Sequence, residues 1–225
     1  MLSIVKETKH WLIINKRSGM IVEQNPYESS VEDLVRTYLS QKYSNPFVGI
    51  IHRLDRVTSG ALIVAKRKSA LRRLNEQFRL GAVQKTYLAV VLKVPPKKRD
   101  LLQHYLVKKE RKKRSEVFER PVEKGKLVSL EYELIGQVND LFLLKIKPKT
   151  GKFHQIRAQL AAIDCPIIGD EKYGSTQKYE DLKIGLHAYE LCFDYPENEI
   201  WKAEKCVANL PKDELWNNFL LPNWH

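Results

Sequence analysis

Five short runs of alternating or β-branched apolar residues set the firmest limit on how this chain can fold: His10 to Asn15, Gly60 to Ala65, Thr86 to Leu92, Leu127 to Leu134 and Leu141 to Ile146. Such runs read as strands. Helical spacing occurs in fewer places. Ser30 to Gln41 sets Val31, Leu34, Val35, Tyr38 and Leu39 on one face behind a Ser-Ser start and early acids, and Ser69 to Leu80 repeats the device with Leu71, Leu74, Phe78 and a Gly81 stop. A third helix begins near His154 and runs through Ile156, Ala158 and Leu160 to Ile163, ending before Pro166. This mixture, without regular βαβ repetition, predicts an α+β fold with a mixed, mainly antiparallel sheet.

At 225 residues the chain is one large domain or two small lobes, and 43% hydrophobic residues suffice for a sizeable core. A net charge of +12 is not needed for folding and works against compaction, so it predicts a polyanionic partner, with nucleic acid first. More than half of the excess lies in 97–126, where twelve Lys and Arg stand against five acids. Within it, Lys108 to Arg114 is a dense basic block suited to several phosphates, with Lys112, Lys113 and Arg114 as candidate contacts.

No apolar run approaches the roughly 18 to 20 residues that span a bilayer, and the start lacks a signal peptide's apolar core. The expectation is a cytoplasmic protein with no membrane partner. Cys165, Cys192 and Cys206 are odd in number and far apart, which fits buried thiols rather than a disulfide frame or a zinc site.

The segment Gly49-Ile50-Ile51-His52-Arg53-Leu54-Asp55-Arg56-Val57-Thr58-Ser59-Gly60 places a lone carboxylate between two arginines. A carboxylate beside cations stays ionised and acts as nucleophile, base or electrostatic partner rather than as a general acid. Other motifs fail. Gly151-Lys152 lacks the earlier Gly of a P-loop, and Phe153 stands where the magnesium-binding hydroxyl belongs. His52, His154 and His187 lie on separate segments without paired ligand spacing, so no metal is expected. Ser59 sits in no Gly-x-Ser-x-Gly elbow.

Three segments together resemble the catalytic motifs of the RluA-type pseudouridine synthases: the Asp55 run, Lys85-Thr86-Tyr87-Leu88-Ala89-Val90-Val91, and Thr150-Gly151-Lys152-Phe153-His154-Gln155-Ile156-Arg157-Ala158-Gln159-Leu160. Trp11 to Gly19 is similar to that family's opening strand and Lys-Pro-x-Gly turn. Cys165 to Gly174 and Leu186-His187-Ala188 also resemble family sequence, so the likeness runs from about Trp11 to Pro196. Arg17 replaces the usual Pro, Lys152 stands where Arg is common, and Gln159 holds a position often given to His.

The resemblance implies the pseudouridine synthase fold, two lobes flanked by helices around a central RNA-binding cleft, as a single catalytic domain over 1–225 with a basic insertion at about 97–126. It implies no preceding S4-type module, no cofactor, and isomerisation of uridine in ribosomal or transfer RNA. Asp55 is then the catalytic anion, Arg157 its partner, and Tyr87 the ring that stacks on the target uracil. Arg53 enters the space left by the flipped nucleotide, and Ile156 lines the pocket. His52, Lys16 and Lys152 complete the candidate substrate-binding set, His52 chiefly by supporting its loop. A monomer is expected. The competing reading is a non-catalytic RNA-binding or ribosome-assembly protein, which has no use for an anion in a polyanion site. A nucleoside hydrolase or glycosylase would call for a second acid or a metal.

Overall fold

The computed structural model describes residues 2–197 and 200–219. The chain forms two compact units, Met1–Lys85 with His187–Leu210, and Thr86–Leu186 with Pro211–His225.

The first unit contains β1 (Ile4–Glu7), β2 (Trp11–Lys16), α1 (Val31–Ser40), β3 (Gly49–Ile50), β4 (Ser59–Ala65) and α2 (Lys68–Leu80). The second unit opens with β5 (Gln84–Val91), followed by β6 (Arg99–Lys109), β7 (Arg114–Phe118), β8 (Lys126–Val138), β9 (Leu141–Pro148) and α3 (Gln155–Ala162). The chain then returns to the first unit in β10 (Leu186–Glu197) and β11 (Ile200–Val207), and α4 (Glu214–Asn217) follows in the second.

In the first unit β4 is the organising strand, and all of its residues are buried. β2 runs antiparallel along one side of it, from Trp11 opposite Ala65 to Lys16 opposite Gly60. Its other side is shared: β3 pairs at Val64 and Ala65, while β10 runs parallel at Ser59 and Gly60. The apolar run that reads as a strand in the sequence is therefore central, which is why it is hydrophobic throughout rather than alternating. Its inward residues Ala61, Ile63 and Ala65 join Trp11, Ile13, Leu74, Leu191 and Phe193 in one core. α1 starts on a capping box in which the Ser30 hydroxyl accepts from the Asp33 N–H and the Asp33 carboxylate accepts from the Ser30 N–H. α2 stops at Gly81 in the left-handed conformation, as its sequence predicts.

The second unit is an antiparallel sheet in the order β5, β9, β8, β6, β7. α3 packs on one face, where Ala158 and Tyr173 meet Leu106 and Val128. Every residue from Gln155 to Leu160 is buried, so the polar side chains of this stretch must find partners inside. The 97–126 stretch, expected as a basic insertion, is β6, β7 and the beginning of β8, integral strands of this sheet.

Gly60 shows how closely the first unit is fitted. It stands at φ +115, and a Cβ there would lie 2.2 Å from the Ala188 carbonyl oxygen of β10. Gly81, at φ +72, has open space instead. Gly60→Ala is expected to cost upwards of about 3 kcal/mol, through overpacking added to backbone strain, against about 1 kcal/mol for Gly81→Ala. Urea unfolding midpoints of the two variants check this, and equal losses would contradict it.

Candidate active site

The Asp55 loop belongs to the first unit and is fixed from both ends. After β3 the chain leaves the sheet, but His52 stays attached to it: its Nε2 accepts the Ile63 N–H of β4 at 3.2 Å, while its ring stacks on Phe78 at 4.7 Å. Burial, with the Lys85 charge adding to it, pushes the His52 pKa down to about 3, so the imidazole is neutral. His52 thus supports the loop, and its acceptor nitrogen is taken up by the sheet rather than by RNA.

Beyond Asp55 the chain turns, with the Thr58 N–H donating to the Asp55 carbonyl at 3.0 Å, and enters β4. Ser59 Oγ lies 2.8 Å from His187 Nδ1, and His187 Nε2 lies 3.3 Å from the Ala208 carbonyl. His187 is fully buried and burial lowers its pKa to about 4, so this Ser–His pair joins β4, β10 and the segment after β11 as a structural contact.

Lys16 requires a correction. Expected to meet RNA, it is only 2% exposed, and its ammonium donates to the carbonyls of Arg17 and Met20 at 2.9 Å and of Arg56 at 3.1 Å. Burial pushes its pKa down to about 7, against the opposing pull of the Asp55 carboxylate. Gly19 N–H and the Arg56 carbonyl, and Arg56 Nε and the Gly19 carbonyl, close the same clamp at 2.8 and 2.9 Å. Lys16 therefore ties the 17–20 turn to the Asp55 turn. A lysine in a turn reads as exposed from sequence, and nothing local announces the three carbonyls that gather around it.

The two arginines flanking Asp55 point to other acids. Arg56 is bidentate to Glu28 at 3.0 and 2.8 Å, and Arg53 pairs with Glu23 at 2.9 Å, with both members of the latter pair more than half exposed. An exposed pair of this kind contributes little to stability and releases readily, so Arg53 is available to a ligand.

The second unit carries the other candidates. Tyr87 lies on β5, half-buried, in register with Ile146 of β9. Arg157 on α3 is 5% exposed and donates through Nε and Nη2 to both oxygens of Asp170, at 2.7 and 2.8 Å, while Nη1 sits 3.0 Å from His154 Nε2. A guanidinium only donates, so His154 Nε2 accepts and its Nδ1–H faces the Tyr173 hydroxyl at 3.1 Å. That hydroxyl also accepts the Ser115 N–H of β7 at 2.7 Å. Asp170, itself 1% exposed, is the partner that the sequence does not announce: the stretch containing it stood out, but no local pattern pairs it with Arg157.

The remaining members of the motif are equally constrained. Gln155 Oε1 accepts from the Thr150 hydroxyl and the Lys152 N–H, and its amide donates to the Ser129 carbonyl and to Gln159 Oε1. Gln159 in turn donates to the Leu102 carbonyl and lies 3.0 Å from His104 Nδ1. Gln159, the departure from the family pattern, is thus fully buried and satisfied. Ile156 is 8% exposed on α3, and Lys152 is exposed.

Of the basic block, Lys112 and Lys113 are exposed at the β6–β7 turn, Lys112 lying 3.6 Å from Glu116. Arg114 is half-buried, packs over the Tyr173 ring at 5.3 Å beside Arg157 at 5.1 Å, and its Nε is buried without a hydrogen-bond partner. Its first role is to hold β7 against Tyr173. Among the described residues no group of His, Cys, Asp and Glu is gathered as a metal site, and no helix is long and apolar enough to cross a membrane.

The family model for RNA pseudouridylate synthase matches residues 10–162, which include Asp55, Tyr87 and Arg157. The chain belongs to this family. Among curated relatives it is 33% identical over 228 residues to a ribosomal large subunit pseudouridine synthase C of Buchnera aphidicola subsp. Baizongia pistaciae, covering 96% of this chain and 69% of the relative. It is 32% identical to an uncharacterized RNA pseudouridine synthase of Haemophilus influenzae, covering 88% and 85%. Against a ribosomal large subunit pseudouridine synthase D of Borreliella burgdorferi the identity is 29%, and the chain spans 66% of that protein's length. The fold matches human RNA pseudouridylate synthase domain containing 4 with a TM-score of 0.79 at 23% identity, over 97% of this chain and 91% of that one. The RluA-type resemblance and the α+β fold expected from the motifs therefore hold.

Within this family fold, the buried Arg157–Asp170 pair predicts a severe variant. Asp170→Asn leaves a buried guanidinium without its anion and is expected to destabilise the protein by about 3–5 kcal/mol. Denaturant unfolding measures this, and a loss below about 1 kcal/mol would show that the pair is not needed to hold α3.

Proposed function

We propose that this chain isomerises uridine to pseudouridine in RNA, with Asp55 as the catalytic carboxylate. The observation that carries the reading is the Asp55 turn itself: a carboxylate in the family's HRLDxxTSG run, clamped through Lys16, Arg56 and His52, with Arg56 held by Glu28. A binding protein gains nothing from so fixed an anion. The ribosomal names of the relatives make ribosomal RNA the first substrate class to test, with transfer RNA second.

The reaction cleaves N1–C1′, turns the uracil while it stays bound, joins C5 to C1′, and then releases the C5 proton while N1 takes one up. Uracil departs with its negative charge spread over its carbonyls, so no second carboxylate is required to protonate a leaving oxygen, unlike glycoside hydrolysis. Asp55 serves either by attacking C1′, to be displaced again when C5 bonds there, or by taking a proton from C2′ and returning it after C5 has bonded. In this reading Arg157, itself oriented by Asp170 and His154, pairs with Asp55 and keeps it ionised. Tyr87 stacks on the base, Ile156 walls the pocket, and Arg53 leaves Glu23 to fill the gap of the flipped nucleotide. Water must be kept out, because hydrolysis would leave an abasic site. We place the enzyme in the cytoplasm as a monomer that needs no cofactor.

Tritium release from RNA labelled at uridine C5 tests the proposal. The native chain is expected to release tritium from ribosomal RNA lacking the modification, and Asp55→Asn to be slower by at least about a hundredfold. No release by the native chain, or equal release by the variant, would overturn it.

A further inference from the structure

We infer that the first unit carries a second surface for the RNA backbone, formed by Lys9, Arg67, Lys68, Arg72 and Arg73 at the end of β4 remote from Asp55. The inference rests on the RNA-modifying reading above and extends it to how a large substrate is held.

Six of the twelve cations in 97–126 are paired with acids in the structure. Lys97 pairs with Asp100, Arg99 with Glu133, Lys108 with Glu110, both Lys109 and Lys112 with Glu116, and Lys124 with Glu123. One segment of the first unit has the opposite pattern. Residues 66–73 contain Lys66, Arg67, Lys68, Arg72 and Arg73 and no acid. Lys66 is satisfied by Glu7 at 2.6 Å and the Thr8 carbonyl at 2.8 Å. Among the described residues, no carboxylate lies within ion-pair reach of Lys9 or of the other four, all of which are exposed.

These side chains share one neighbourhood. Arg67 Nε donates to the Lys9 carbonyl at 3.2 Å. His10, whose ring lies 5.5 Å from that of Tyr195, has its pKa lowered by burial first and then by the charges of Lys9, Arg67 and Arg73. Tyr195, whose phenol is raised by burial, feels the opposing pull of Arg73 and Arg67. Lys68 and Arg72 are four apart on α2 and so lie on the same face.

The local helix rule is broken in the same place. α1 begins with Glu32 and Asp33 in its first turn and a Ser30 cap, the arrangement its dipole favours. α2 begins on Arg67 and Lys68 with no acid in its first turn and no side-chain cap. Cations at the positive end of a helix cost the free protein stability, and polyanion phosphates would reverse the sign of that interaction.

β4 separates this patch from the Asp55 loop. It starts at Ser59, just after the loop, and ends at Ala65, just before Lys66, a span of roughly 20 Å at strand rise. A short stem–loop bound at Asp55 would not need the patch, whereas a folded ribosomal RNA would extend to it. Phosphate contacts of this kind position the RNA and carry no base specificity.

The test uses the full chain with Lys68→Gln, Arg72→Gln and Arg73→Gln together, all exposed and distant from the clamp around Asp55. Filter binding to transcribed large-subunit ribosomal RNA and to a short stem–loop is measured from low to moderate salt. The expected result is at least about tenfold weaker binding to the long RNA and a salt slope reduced by about 2, with the stem–loop unaffected. The variant carrying Lys at both arginine positions should retain most of the long-RNA affinity. Unchanged binding and slope for the long RNA would overturn the inference and point to a partner other than RNA, and equal losses on both RNAs would overturn it as well. Repeating the binding in Asp55→Asn separates the two claims, because the patch is read there with no turnover.

Discussion

A guanidinium sealed from water must be given an anion, and the pair Arg157–Asp170 is the interaction on which the second unit depends. Burying either group alone would cost several kcal/mol; together, bidentate and with His154 on the remaining nitrogen, they form a rigid unit. Its reach extends beyond the helix. His154, held at φ 54 at the start of α3, faces Tyr173, and Tyr173 holds Ser115 of β7 and stacks beneath both Arg157 and Arg114. The basic hairpin is thus tied to the same cluster that orients Arg157.

The first unit solves the same problem with a lysine. Lys16 is buried among three carbonyls, and what it secures is the turn that carries Asp55. In both units a cation near the reactive motif is held in place by buried polar partners, Lys16 by three carbonyls and Arg157 by Asp170 and His154. Preorganisation of this kind is what lets a charged group act on developing charge without first rearranging.

The apolar strands were legible because burial on both faces writes itself as continuous hydrophobicity, as in Gly60 to Ala65. The helices were legible from spacing and stops, Gly81 among them. β6, β7 and β11 were not, because Arg99–Lys109, Arg114–Phe118 and Ile200–Val207 mix charges into both faces and hide the alternation. The site was legible as motifs but not as partnerships. Asp55, Tyr87 and Arg157 stood out, whereas Asp170 was one acid among 27 and Lys16 gave no sign of burial. The charge count marked 97–126 but could not reveal that acids answer half of its cations while Arg67, Lys68, Arg72 and Arg73 have none in ion-pair reach among the described residues.

The central claim is that a single carboxylate, Asp55, serves to move uracil within one nucleotide and never to water. Nucleoside analysis after complete digestion of ribosomal RNA treated with the native chain, with free uracil assayed in parallel, measures this most directly. The account predicts pseudouridine equal to the uridine consumed and no free uracil. Free uracil matching the uridine lost, with no pseudouridine formed, would contradict it.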